Sequence, residues 1–169
     1  MRERGPARVQ AALEAAGADV EVITLADSAR TAQLAADGLG TPLGSIVKSL
    51  LFLADGQPVL VLVAGDRRAD PIKLKVLLNA RRVMIADAEQ VREETGFSIG
   101  GVPPIGHVQP LPTWIDASLG RFETVYAAAG HPRSVFPIRF DTLVHVTGGH
   151  VADLTDTPAT STTETNETI

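Results

Sequence analysis

Lys48 is the lone charge in the run Ile46-Val47-Lys48-Ser49-Leu50-Leu51-Phe52-Leu53. An ammonium in a segment that otherwise reads as a buried strand either extends its head to water or serves a site. A second irregularity is the loop Gly100-Gly101-Val102-Pro103-Pro104-Ile105-Gly106. A glycine pair lets the backbone approach a ligand and turn its N–H and C=O groups toward it, and the prolines stiffen such a wall. The plain alternative is a tight turn joining a helix to a strand. A third feature is the crowding of Arg67, Arg68, Lys73, Lys75, Arg81 and Arg82 into a stretch whose acids are Asp66 and Asp70. It reads either as a solvated helix face or as a local patch for phosphates.

Other chemistries find no pattern. His107, His131, His145 and His150 show neither i, i+4 pairing nor an H-E-x-x-H arrangement, so no metal site is expected. There is no cysteine, which removes a thiol nucleophile and any disulfide framework. The glycine loops match neither a Walker nor a dinucleotide fingerprint, and no cofactor is implied.

The elements that must hold these residues follow from periodicity and punctuation. A helix is expected from Arg4 to Ala16, with a stop at Gly17, and a first strand from Val20 to Thr24. Thr31 is placed to cap a second helix ending at Gly38 or Gly40. Ile46–Ala54 and Pro58–Ala64 read as a hairpin about Asp55-Gly56-Gln57. Asp70-Pro71 starts a helix whose inner side would carry Ile72, Leu74, Val76, Leu77 and Leu78. Arg82–Ala86 is a short strand, and Asp87 with Gln90 forms a capping box for a helix ending near Gly96. Strands follow at Leu111–Asp116 and Thr124–Ala129, then a turn at Gly130-His131-Pro132. Val135–Ile138 reads as an edge strand, Asp141 as the cap of a last helix, and His150–Leu154 as a final strand.

The fold class expected is α+β: a mixed, largely antiparallel sheet or partial barrel flanked by helices. Residues 1–154 would form one domain, and the Thr-rich stretch 155–169 a disordered tail. The 169 residues suffice for a core built from Val, Leu, Ile and Ala, because aromatics are only 4%. A net charge of −5 argues against indiscriminate DNA or RNA binding. The polar N-terminus and the absence of a long apolar stretch give the expectation of a cytoplasmic protein with no membrane partner.

The sequence resembles the YbaK/prolyl-tRNA synthetase-associated domain family. The resemblance is carried by Leu39-Gly40-Thr41-Pro42, Ile46-Val47-Lys48-Ser49-Leu50, Ala64-Gly65-Asp66-Arg67-Arg68 with Lys73-Leu74, and Ala86-Asp87. It continues through Thr95-Gly96-Phe97, the Gly100–Gly106 loop, Ile115-Asp116 and Ala129-Gly130. It implies a YbaK-like fold and an aminoacyl-tRNA deacylase that acts in trans on mischarged tRNA, such as tRNA for proline carrying Ala, Cys or Ser. The partners implied are the tRNA acceptor end and prolyl-tRNA synthetase.

By resemblance, Lys48 matches the family's essential lysine, and Gly100, Gly101 and Pro104 fall in its G-x-x-x-P loop. Thr31 matches a position that faces the aminoacyl pocket, with Arg30 departing from the usual type before it, and Gly106 closes the loop. Gly130 and His131 fall near the site, His131 either touching substrate or being an exposed turn residue. Asp116 matches a recurrent acid with either a substrate-binding or a structural hydrogen-bonding role. Arg67, Arg68 and Lys73 become candidates for contact with tRNA. An aminoacyl ester is already activated, so holding it and stabilising the oxyanion matter more than a strong nucleophile. Lys48 is accordingly read as an electrostatic anchor for the tRNA end. The alternative function is a non-catalytic tRNA- or ligand-binding regulatory module that retains the pocket.

Overall fold

The computed structural model describes residues 4–156. Its centre is a mixed sheet of eight strands in the order β1-β7-β6-β2-β3-β5-β8, with β4 paired to β2 off this path. The strands are β1 Ile23–Thr24, β2 Ile46–Ala54, β3 Gln57–Ala64, β4 Val83–Ile85, β5 Thr113–Asp116, β6 Thr124–His131, β7 Ser134–Arg139 and β8 His150–Ala152. The helices are α1 Arg4–Ala15, α2 Ala32–Leu39, α3 Pro71–Leu78, α4 Ala88–Thr95 and α5 Phe140–Thr147. Pairings β1–β7, β2–β3, β2–β4 and β6–β7 are antiparallel, while β2–β6, β3–β5 and β5–β8 are parallel. This is the mixed sheet flanked by helices that the sequence leads one to expect. No helix among the described residues is long and apolar enough to cross a membrane.

Side-chain alternation splits the core between two faces of the sheet. Val47, Leu51, Leu60, Leu62, Ala127 and Phe136 lie on one face, where Val9 and Leu13 of α1, Val91 of α4 and Leu143 of α5 cover them. On the other face α2 packs Ala32, Ala35 and Ala36 onto Ile46, Ala128 and Val135. Further along that face Leu74 of α3 packs with Phe52, Val59, Val61, Val63 and Leu154. Lys48 lies between these two apolar patches, and Ser49 turns to the opposite face with Val47 and Leu51.

Local chemistry sets the boundaries. Asp55 and Gly56 both take positive φ, 49° and 83°, and close the β2–β3 hairpin in two residues. Thr31 accepts from the Leu34 N–H and Asp70 from those of Ile72 and Lys73, while Asp87 and Gln90 complete a capping box.

Several expectations are corrected. Only Ile23–Thr24 of the first strand pairs, because the Gln10 side chain takes the Val20 carbonyl and the Val22 N–H, each at 2.8 Å. In α3 a 3.6-residue period sets Leu74 and Leu78 inward and leaves Ile72 and Val76 outward, 72% and 76% exposed. Asp141 does not cap α5: the helix starts at Phe140, after Arg139, and Asp141 binds the Thr142 N–H within the first turn. Strand β6 runs on through His131, so the turn falls at Pro132-Arg133. Thr155 and Asp156, assigned by sequence to the tail, are tied to the domain: Thr155 bridges Ala69, and the Asp156 N–H binds the Arg68 carbonyl. The rest of the expected tail lies outside the described residues.

Candidate functional site

The Gly100–Gly101 segment follows α4 and is pinned to the end of β6. The Gly130 N–H donates to the Gly101 carbonyl at 2.8 Å, and the Gly101 N–H closes a turn onto Ser98. Gly100 and Gly130 hold φ of +94° and +85°, in the region where L side chains are strained. A Cβ on Gly101 would sit 3.0 Å from the His131 backbone nitrogen, and one on Gly130 would strike the Gly5 backbone. Bare backbone is what lets these strands and loops meet.

Two concavities flank this segment. One, of about 410 Å³, is lined by Gly101, Gly130, His131, Phe97, Ile99 and Arg8, among others. The other, of about 60 Å³, is lined by Gly100, Ile99 and Ser49 together with apolar side chains of β2, β4 and α4. Ile99 belongs to both, so Ile99, Gly100 and Gly101 form the ridge between them.

The larger concavity carries polar groups with capacity to spare. The Arg133 N–H donates to His131 Nδ1 at 3.1 Å, which places the proton of a neutral ring on Nε2. Arg8 lies over the Phe97 ring, 5.5 Å from its centroid. Across the Phe97 ring edge stands His107, whose Nε2 bonds the Pro103 carbonyl at 2.7 Å. Burial holds the His107 pKa below its usual value, and the Arg8 charge adds to that while the Pro103 bond opposes it. Arg30, the departure before Thr31, packs against Gly100: a Cβ there would meet Arg30 Cβ at 3.2 Å.

The second group of sequence candidates gathers on the other face of the sheet. Lys48 is fully buried, with 0% exposure, and its Nζ donates to the Arg67 carbonyl at 2.5 Å. It does not extend its head to water. Asp116, also buried, accepts from the N–H groups of Leu154 and Ser118 and from the hydroxyls of Ser118 and Thr155. Lys73 binds Asp153 at 2.9 Å and the Thr155 carbonyl at 2.6 Å, and its pKa is raised chiefly by the Asp153 hydrogen bond. Asp66 forms a two-pronged pair with Arg121 at 2.7 and 3.0 Å, and Arg67 Nε is 3.8 Å from it. Burial pushes the Asp66 pKa upward, but the Arg121 hydrogen bond and charge outweigh it and the net shift is down.

The sequence candidates therefore divide. Gly100, Gly101, Gly130 and His131 come together. Pro104 and Gly106 line a separate hollow of about 270 Å³ beside α5. Thr31 spends its hydroxyl on the α2 cap. Lys48, Arg67, Arg68, Lys73 and Asp116 line neither of the two concavities at the ridge. Arg8 was missed because a single arginine on an amphipathic helix carries no signal. Among the described residues no cluster of His, Cys, Asp or Glu could hold a metal ion.

A family model for the aminoacyl-tRNA editing domain matches residues 26–145. The uncharacterized protein YwhH of Bacillus subtilis is 35% identical over 119 residues, which is 70% of this chain and 75% of that protein. A proline–tRNA ligase of Nitratidesulfovibrio vulgaris is 45% identical over 92 residues, 54% of this chain but only 16% of the ligase. Among solved structures, a candidate trans-editing enzyme for prolyl tRNA synthetase superposes with a TM-score of 0.86 at 43% identity, covering 90% of this chain and 98% of that one. The chain thus belongs to the aminoacyl-tRNA editing domain family.

Proposed function

We propose that this protein is an aminoacyl-tRNA deacylase acting in trans on mischarged tRNA, with tRNA for proline carrying a small amino acid as its substrate. The observation that carries the reading is the Gly100–Gly101 ridge, a fixed stretch of bare backbone between a large polar-walled hollow and a small apolar one. An ester lying across it would put its nucleotide part on one side and its aminoacyl part on the other.

Water attacks the ester carbonyl carbon, the bond to the ribose oxygen breaks, and that oxygen leaves with a proton. Among the described residues no carboxylate lines the hollows at the ridge as a base, so the reaction draws on positioning, backbone polarity and the substrate's own ribose hydroxyl. The His131 Nε2–H is suited to donate to an oxygen of the substrate. Arg8 supplies positive charge at the mouth of the larger hollow for the terminal phosphates. Arg67 and Arg68 would meet the acceptor stem further out. Lys48 acts from inside the fold as a positioning residue: its ammonium fixes the Arg67 carbonyl, and with it the loop that carries Arg67 and Arg68. Asp116 and Lys73 hold the C-terminal segment in place.

The test is a deacylation screen against tRNA for proline charged with Ala, Ser, Cys and Pro, run beside Lys48→Met. This variant keeps the apolar stem and removes the charge. The expected result is hydrolysis of at least one mischarged species and a loss of about 100-fold in Lys48→Met, with the thermal midpoint retained. Tight binding of mischarged tRNA without hydrolysis would establish the non-catalytic module instead.

A further inference from the structure

Ser49 is a buried hydroxyl that the fold does not use. Its Oγ is shielded from solvent and has no hydrogen-bond partner among the described residues. Leaving a buried hydroxyl unpaired costs about 1–3 kcal/mol, so such a group calls for an explanation. Its neighbours on the same face of β2, Val47 and Leu51, are core residues and would pack as well against alanine.

Ser49 is among the residues that line the small hollow. The other side chains there, including Leu51, Ile85, Ala86, Val91 and Val102, are apolar, and Gly100 contributes backbone. The volume of about 60 Å³ exceeds the roughly 10–15 Å³ that one water molecule needs by the same measure. That is room for the side chain of a small amino acid. Ile85 and Ile99, 62% and 37% exposed, stand at its rim. The ridge glycine Gly100 joins this hollow to the place where the ester would lie.

We propose that the small hollow receives the aminoacyl side chain and that Ser49 makes it select a side chain bearing a hydroxyl, with serine as the preferred substrate. A seryl group entering it gives Ser49 Oγ the partner that the fold withholds. An alanyl methyl fits but leaves the hydroxyl unpaired. A prolyl ring closes apolar surface over it, which sets the correctly charged tRNA at a disadvantage. A site that hydrogen-bonds its substrate discriminates far more strongly against an analogue lacking the group than an apolar pocket does against an added one. The inference rests on the editing reading only in placing the ester on the ridge.

The experiment compares kcat/KM for seryl- and alanyl-tRNA in the wild type, Ser49→Ala and Ser49→Cys. The seryl substrate is expected to lead by about tenfold or more in the wild type. Ser49→Ala should lower the seryl-to-alanyl ratio by a similar factor, and Ser49→Cys, with its weak S–H donor, should keep part of it. The thermal midpoint of Ser49→Ala should not fall, because no hydrogen bond of the fold is lost. A ratio unmoved by Ser49→Ala, whether both rates drop together or neither does, overturns the proposal. If the wild type hydrolyses no mischarged tRNA, the deacylase reading fails by itself. Binding of non-hydrolysable 3′-seryl- and 3′-alanyl-amino-3′-deoxyadenosine amides then decides this inference. A seryl preference that disappears in Ser49→Ala upholds it, and equal or absent binding overturns it.

Discussion

The two faces of the sheet at Lys48 and Ser49 treat polar groups in opposite ways. On the Lys48 face most charges are spoken for, with the buried Arg67 Nε as an exception: Lys48 by the Arg67 carbonyl, Asp66 by Arg121, Lys73 by Asp153 and Thr155, and Asp116 by four donors. On the Ser49 face the hydroxyl of Ser49 is without a partner among the described residues, and Arg8 and His131 line an open hollow. A polar group whose bonding capacity is filled by the fold holds the fold. One with capacity left over, beside a cavity, is where a ligand makes a difference. Charge density points to the Lys48 face, whereas unfilled bonding capacity beside a cavity points to the Ser49 face.

Variants can break that contrast. The largest effect is expected from Gly100→Ala, which forces a Cβ into φ +94° and against Arg30. Deacylation should fall by about 100-fold, because small displacements of a positioned ester have effects of that size. A single-turnover assay with the best mischarged tRNA checks it, and retained activity would remove the ridge from the chemistry.

Next comes Asp116→Ala on the saturated face. It strips four donors of one acceptor and should reduce stability by about 3 kcal/mol in urea unfolding. The turnover of the remaining folded protein should be little changed. A selective loss of turnover would return Asp116 to the substrate.

Arg8→Ala should act on binding, raising KM by about fivefold and flattening its salt dependence, as expected for a lost phosphate contact. A change confined to kcat would contradict that role.

The smallest effect concerns pH. Burial depresses the His107 pKa in the folded state. The unfolded chain therefore takes up this proton first as pH falls. Stability from this group is complete above its ordinary value of about 6.5 and declines below it. His107→Gln, which can keep a donor toward Pro103, should flatten the fall in unfolding free energy between pH 7 and 5. An identical slope in both proteins would assign the dependence elsewhere.

Local rules made much of this legible beforehand. The Asp55-Gly56 turn, the Thr31 and Asp70 caps and the Asp87–Gln90 box each depend on a few adjacent residues, and each forms as read. The Gly100–Gly101 loop was legible for the same reason, since only glycine serves where the backbones close up. What escaped depends on distant packing. Nothing local says that Gln10 will occupy the backbone of Val20 and Val22, or that α3 will turn Ile72 and Val76 outward. Lys48 drew attention by its charge, whereas Ser49 beside it looked ordinary. Only the three-dimensional arrangement separates a hydroxyl with a partner from one without.

The end of β6 carries one more consequence. Pairing with β7 is regular from Thr124↔Arg139 to Ala128↔Val135 and resumes at His131↔Ser134, leaving Ala129 and Gly130 without opposite numbers. Because Gly130 is released from the ladder, its N–H is available to the Gly101 carbonyl. Removing both extra residues would give a smoother hairpin and a ridge without its tether. Removing one would turn His131 to the other side of the strand. Redesign for greater rigidity in this hairpin therefore meets a direct conflict: the irregularity that a designer would smooth away is the clamp that keeps the loop in register.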